Sequence, residues 1–209
     1  MPLLKEFVSG AAKIVLWRRS ETAQELLSQV SFTECESNYY QQLNTERRRS
    51  EWLAWHLLVK NLFHNQVIEI SYDATGAPML NVDYRVVVSH GGELVGIAVA
   101  RQACGIDIEP LNRDFSRVKN RILNQHEITT LAPLADIAQV EAIGWCMKEC
   151  AFKIGRLEGI DFLNDIIITE VNQNEHSAVV DFKRFGKINI IVEIIDNHII
   201  CYGTTKENI

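Results

Sequence analysis

The feature that most limits the possible folds of this 209-residue chain is an order of helix-like and strand-like segments that occurs twice. Each half has helices followed by strands, which predicts an α+β protein with helices packed on a small, mainly antiparallel sheet in each half. We place the halves at residues 1–102 and 103–209, as one integrated unit, because no Pro-, Gly- or Ser-rich linker separates them. The predicted helices are 21–29, 33–43, 46–63, 114–127 and 139–155, and the predicted strands are 11–17, 67–72, 84–89, 94–101, 103–109, 165–171, 178–184, 188–195 and 198–204.

The composition is that of a soluble globular protein, with 47% hydrophobic and 23% charged residues. A formal net charge of −6 disfavours a general nucleic-acid-binding role. The five cysteines include no Cys-x-x-Cys pair, so we expect reduced thiols in a cytoplasmic protein. We expect no membrane association, because the sequence has neither a signal-like N-terminus nor an apolar run long enough to cross a bilayer.

The predicted strand Cys104–Pro110 carries two carboxylates on one face. Side chains alternate along a strand, so Asp107 and Glu109 point one way, about 7 Å apart, while Ile106 and Ile108 point the other way. Two acids on one face are also common on an exposed strand, where water solvates both. A divalent cation such as Mg²⁺ would relieve their repulsion and leave coordination positions for a phosphate.

The predicted helix 139–155 carries a second charged pair. A buried stripe is predicted for Ile143, Met147, Cys150 and Ile154, which recur with helical spacing. Glu149 and Lys153 flank that stripe at i and i+4. By itself, this spacing is that of an ordinary surface ion pair on a helix.

The two stretches together resemble a known family. Gly105-Ile106-Asp107-Ile108-Glu109, followed by Trp145-x-x-Lys-Glu-x-x-x-Lys153, resembles the 4′-phosphopantetheinyl transferases, in particular the long single-chain type that serves carrier proteins of synthases. Val88-Ser89-His90 and Gly76-Ala77-Pro78 extend the resemblance, which covers roughly residues 46–155. The resemblance implies two pseudo-twofold-related halves with one active site in the cleft between them.

The resemblance also implies an activity. The enzyme would transfer 4′-phosphopantetheine from coenzyme A to a serine hydroxyl of an apo acyl or peptidyl carrier protein, with Mg²⁺ or Mn²⁺, and release 3′,5′-ADP. The implied metal ligands are Asp107, Glu109 and Glu149. The implied catalytic residues are Glu149, Lys153 and His90. The implied coenzyme A-binding residues are Arg48, Arg49, Ser89, His90, Lys148 and Lys153.

The expected partner is an acidic carrier protein, by analogy with the family. Arg113, Arg117, Lys119 and Arg121 follow the acidic strand and would form a basic patch that speeds the encounter, although such a group is also typical of a solvated helix face. We expect a monomer, because one chain already supplies both halves of the cleft.

Three positions depart from the family pattern. Ala77 stands where the family often has lysine, Ile108 where some members have a further metal ligand, and His56 near a frequent arginine. The loss at Ala77 leaves open a degenerate relative that binds coenzyme A or a carrier without transfer. A different metal-dependent phosphate enzyme, such as a hydrolase, would require the helix motif to match by chance.

Overall fold

The computed structural model describes residues 3–115, 119–134 and 137–205. Within that part of the chain, eleven strands form two antiparallel sheets. The strands are β1 (Leu3–Ser9), β2 (Ala12–Arg18), β3 (Ile70–Tyr72), β4 (Pro78–Leu80), β5 (Arg85–Gly91), β6 (Leu94–Ala100), β7 (Cys104–Pro110), β8 (Ile166–Asn172), β9 (Ser177–Phe182), β10 (Gly186–Ile195) and β11 (His198–Thr204). The first sheet has the order β1-β2-β6-β5-β4-β3, and the second has the order β7-β11-β10-β9-β8.

The first four of the five helices in the described residues start where a side chain caps their first N–H groups. They are α1 (Ala23–Leu27), α2 (Glu34–Gln41), α3 (Glu46–Leu62), α4 (Gln125–Leu131) and α5 (Ile137–Gly155), with 3₁₀ turns at Lys119–Arg121 and Ala132–Leu134. Thr22, Thr33 and Asn124 each form a capping box with the glutamate three residues later. The α+β prediction of two halves, each with helices and an antiparallel sheet, is confirmed.

Three apolar clusters hold these elements together. One lies between α3 and the first sheet, and another between α5 and the second sheet. The third lies between the two sheets, where Leu16 and Leu94 of the first half meet Ile106, Ile108 and Ile200 of the second. The alternation of β7 therefore turns its two isoleucines into the seam between the halves, and its acids to the opposite face.

Gly105 allows α5 to lie close to β7. A Cβ atom at this position would be 2.5 Å from Ile154 Cγ1 and 2.6 Å from the carbonyl oxygen of Cys150, closer than real Cβ contacts come. A larger residue would push α5 away from the strand. The glycine before the acidic pair thus fixes the distance between the two elements that carry the charged side chains.

The structure differs from the sequence-based expectations in three places. β1 and β4 are strands where none was predicted, since β4 has only three residues and β1 mixes polar and apolar residues without a clean alternation. The predicted helix 114–127 is wrong in its described part, which holds a 3₁₀ turn and the start of α4. The side chain of Asn124 accepts a hydrogen bond from the Glu127 N–H and so begins the helix at Gln125.

All five cysteines are free thiols. Cys35 is exposed on α2, whereas the other four are buried. No helix among the described residues is both long and apolar enough to span a bilayer.

Candidate active site

The acidic face of β7 lies beneath α5. Asp107 and Glu109 are 4% and 6% exposed, although both are charged residues of a kind that is seldom buried without partners. Each therefore has an identifiable set of hydrogen-bond donors. Those donors come from α5, from β5 and from the loop after β7.

Asp107 is bound to the two elements that flank it. Its Oδ1 accepts hydrogen bonds from Lys153 Nζ at 2.6 Å and from Ser89 Oγ at 2.9 Å, and Lys153 also donates to Ser89 Oγ at 3.0 Å. Burial alone would lower the pKa of Lys153, but Asp107 and then Glu149 more than offset it and raise that pKa. Lys153 is therefore a firmly charged ammonium group beside the acids. Asp107 Oδ2 is buried and has no hydrogen-bond partner among the described residues.

Glu109 is held at the outer end of the strand. Arg113 Nη1 lies 2.5 and 2.6 Å from its two carboxylate oxygens, and Trp145 Nε1 donates to Oε1 at 2.7 Å. Burial raises the pKa of Glu109, against the hydrogen bond from Arg113, and the charge on Asp107 raises it further. Trp145 thus links α5 to the carboxylate of β7.

Glu149 faces both strand acids from α5. Burial raises its pKa to about 7, and the charges of Asp107 and Glu109 add to this effect, while Lys153 opposes it. Three carboxyl groups therefore share one region in which the nearby positive charges do not fully balance their negative charge. Such a group either retains a proton or takes up a cation.

The fit to a divalent cation rests on two of these carboxylates. Within the described ranges, no three or more Asp, Glu, His or Cys side chains are arranged as a metal cage, and Arg113 Nη1 contacts both oxygens of Glu109. Asp107 Oδ2, however, is a buried carboxylate oxygen that lacks any donor, and Glu149 lies in the electrostatic field of Asp107 and Glu109. Carboxylate oxygens are the ligands that Mg²⁺ and Mn²⁺ prefer. The donor set therefore suits a hard cation, and Glu109 can join it through Oε2, which accepts only one hydrogen bond.

A cleft between the halves opens beside this acidic group. One cavity of about 600 Å³ is lined by Lys153, Phe152 and Arg156 of the second half and by the Thr75–Pro78 loop and Val88 of the first. A second cavity, of about 400 Å³, shares the lining residues Gly76, Pro78 and Val88 with the first. The cleft can therefore hold an elongated ligand that passes Lys153.

Aromatic side chains form part of the wall of the smaller cavity, together with the charged Arg48 and Glu51. Tyr39 and Tyr72 stack at 4.2 Å between ring centres, and Trp55 and Arg48 also line the space. Arg49, in contrast, donates through Nε to the Leu43 carbonyl at 2.8 Å and lies over the Tyr40 ring. The two neighbouring arginines, which the sequence did not separate, thus occupy different environments.

His90 lies at the mouth of the smaller cavity, next to a carboxylate that the sequence analysis missed. Its Nδ1 is 3.6 Å from Oε2 of the buried Glu51, whose Oε1 accepts from Arg47 Nε at 2.7 Å. Burial lowers the pKa of His90, although Glu51 opposes this effect. The i,i+4 spacing of Arg47 and Glu51 was the available signal, but only the fold brings Glu51 to His90.

Lys148 lies on a different side of α5 from Glu149 and Lys153. It is fully buried, with Nζ 2.7 Å from Glu127 Oε1, 2.6 Å from the Ile122 carbonyl oxygen and 2.8 Å from that of Phe162. An ammonium group with these partners cannot reach a ligand in the cleft without breaking all three contacts. These contacts are those of a structural support for α4 and the segments on either side of it. They disfavour the contact of Lys148 with coenzyme A, which stays a prediction.

The predicted basic patch is only partly visible. Arg113 is bound to Glu109, and Arg121 is exposed. Arg117 and the side chain of Lys119 lie outside the described residues, so the patch stays a prediction.

Residues 103–202 match the family model described as the 4′-phosphopantetheinyl transferase superfamily. The matched segment contains Asp107, Glu109, Glu149 and Lys153, whereas Ser89 and His90 precede it. A search of curated proteins finds no match. The resemblance inferred from the sequence is therefore confirmed at the level of the superfamily.

Proposed function

We propose that this chain, whose residues 103–202 belong to the 4′-phosphopantetheinyl transferase superfamily, transfers the 4′-phosphopantetheine group of coenzyme A to a serine hydroxyl of an apo acyl or peptidyl carrier protein. The observation that carries the proposal is the placement of Asp107, Glu149 and Lys153 beside a cleft between the two halves. In the proposed reaction, the serine oxygen attacks the phosphorus that bears pantetheine. The pyrophosphate P–O bond then breaks, and 3′,5′-ADP leaves with the bridging oxygen.

Asp107 and Glu149, joined by Glu109, are the proposed ligands of Mg²⁺ or Mn²⁺. When bound there, the cation would supply Lewis-acid stabilisation of charge on the pyrophosphate. Lys153 is held in place by Asp107 and Ser89, and its ammonium group would stabilise negative charge as the bridging oxygen leaves. Glu149, directly or through a water molecule, would accept the proton of the serine hydroxyl.

The smaller cavity is the proposed site of the nucleotide end of coenzyme A. Its stacked tyrosines would accommodate the adenine ring, and Arg48 and His90 would contact phosphate. Since Arg49 is bound elsewhere, the structure favours Arg48 over Arg49 for this contact. The carrier protein, the cytoplasmic location and the monomeric state belong to the proposal as well.

Mass spectrometry of an apo carrier protein tests this function. The carrier is incubated with this protein, coenzyme A and Mg²⁺, and a mass gain that equals phosphopantetheine is expected. Coenzyme A binding without that gain would favour the degenerate relative, for which the alanine at position 77 is the supporting observation. Release of 3′,5′-ADP without any carrier would instead indicate a hydrolase.

A further inference from the structure

The residue after α5 has an unusual backbone conformation. Arg156 has a φ of 48°, in the left-handed region, and its N–H donates to the Phe152 carbonyl at 2.8 Å to end the helix. Glycine is the usual residue at this position of a helix terminus, because a Cβ atom disfavours the conformation. An arginine held there suggests that its side chain is used.

The side chain of Arg156 crosses the cleft to the first half. Its Nη2 donates to the Val86 carbonyl at 3.0 Å, and its Nη1 lies 3.9 Å from Asp73 Oδ2. Arg156 follows the helix that carries Glu149 and Lys153, so it links that helix directly to the opposite wall of the cleft.

Asp73 in turn organises that wall. Its Oδ1 accepts hydrogen bonds from the Thr75 N–H at 2.8 Å, from the Thr75 hydroxyl at 2.6 Å and from the Ala77 N–H at 3.0 Å. The turn that results contains Gly76, with a φ of 82°. Gly76 and Pro78 line both the 600 Å³ and the 400 Å³ cavities, so a shift of this turn would reshape the whole cleft.

We propose that Arg156 is a positioning residue for the donor: together with Asp73 it forms a strap between the halves that sets the width of the cleft before coenzyme A binds. This inference rests on the proposed function, since it takes coenzyme A as the ligand. The strap does not touch the bond that breaks. It acts by holding the Asp73–Ala77 turn against the end of α5, which reduces the ordering that binding would otherwise require.

A double-mutant cycle tests the strap. Arg156→Gln removes the positive charge and the planar guanidinium group. Asp73→Asn keeps Oδ1 as an acceptor for the turn and replaces the charged Oδ2, which faces Arg156, with an amide NH2 group. The dissociation constant of coenzyme A is measured by calorimetry, and KM and kcat are measured with a carrier protein. Lys183→Gln, which breaks an exposed ion pair with Asp165 in the second half, is the matched control.

We expect Arg156→Gln to raise Kd and KM for coenzyme A about fivefold, with a much smaller change in kcat. Asp73→Asn should raise both less, and the double variant should be no worse than Arg156→Gln alone, because the two residues act through one contact. The control should bind like the wild type. If Arg156→Gln does not fold, Arg156→Lys replaces it. Lysine keeps the charge but lacks the guanidinium group, so a rise in Kd of less than about fivefold is expected.

Unchanged affinity in the Arg156 variants, additive effects of the two substitutions, or a loss confined to kcat would overturn the strap. The calorimetric cycle separates this failure from failure of the proposed function. Coupled changes in Kd without any transfer would support the strap and contradict the transferase. Normal transfer with uncoupled variants would contradict the strap alone, and absence of coenzyme A binding by the wild type would overturn both.

Discussion

Asp107, Glu109 and Glu149 bring three carboxyl groups into one buried region, and each is compensated differently. Asp107 has Lys153, and Glu109 has Arg113. Glu149 instead has a pKa raised to about 7 by burial and by the nearby acids. The metal-free protein is therefore electrostatically strained at Glu149, which can be measured without any assay of transfer.

We predict that Glu149→Gln abolishes the pH dependence that this residue gives to folding stability. The unfolded carboxyl has a pKa near 4.5 and the folded one a pKa of about 7, so the folded state holds an extra proton between these values. Stability should then fall as pH rises from 4.5 to 7. The free energy of unfolding is measured with urea at pH 5 and pH 8, in the presence of a chelator. Its difference between the two pH values should be smaller in the variant than in the wild type.

The control for this measurement is Glu175→Gln, at an exposed turn. It should leave the pH dependence as in the wild type. In the presence of Mg²⁺ and a carrier, Glu149→Gln should lose at least about 100-fold in kcat, because a proposed metal ligand and base is removed. Turnover near that of the wild type would contradict the assignment of Glu149.

Arg48 and Arg49 give a second prediction, which compares coenzyme A with dephospho-coenzyme A as the phosphopantetheine donor. Loss of a contact to the 3′-phosphate, remote from the bond that breaks, should mainly raise KM. We expect Arg48→Ala to raise KM for coenzyme A much more than for dephospho-coenzyme A. Arg49→Ala serves as the neighbouring control and should affect both donors little, since its guanidinium contacts Leu43 and Tyr40. Equal losses for both donors in Arg48→Ala would place the 3′-phosphate elsewhere.

Among the elements, β7 and α5 were predictable from the sequence because their signals are local. Alternation placed Asp107 and Glu109 on one face, and the spacing of Ile143, Met147 and Ile154 identified the buried stripe of α5. The burial of Lys148 was not predictable, because its partner Glu127 lies on another helix.

The contacts of Arg156 and Glu51 were not predictable either, because their partners Asp73 and His90 are distant in sequence. The motif identified candidate site residues, whereas only the fold showed which of them are in contact.

The buried ion pair between Glu127 of α4 and Lys148 of α5 gives a prediction about how these two helices are joined. Lys148→Met should destabilise the protein by about 3–5 kcal/mol, because it leaves the Glu127 carboxylate buried without its cation. Urea unfolding measures the change. Lys183→Met, at an exposed ion pair, should cost no more than about 1 kcal/mol. A loss for Lys148→Met as small as that of the control would show that water or a local shift compensates Glu127.

At the scale of the whole molecule, a single chain supplies both walls of the cleft. Apolar packing between the two sheets joins the halves, so a partner subunit is not needed to complete the site. We predict a monomer whose molar mass by light scattering does not change with concentration. A stable dimer or trimer in dilute solution would contradict this prediction.

The distribution of thiols has a practical consequence for spectroscopy. Because Cys35 is exposed and the other four cysteines are buried, a maleimide dye should attach at one position in the native protein. Cys35 lies one helical turn from Tyr39, which lines the smaller cavity. If the nucleotide of coenzyme A binds in this cavity as proposed, a fluorophore at Cys35 would report its entry as a change in emission, without substitution of any residue.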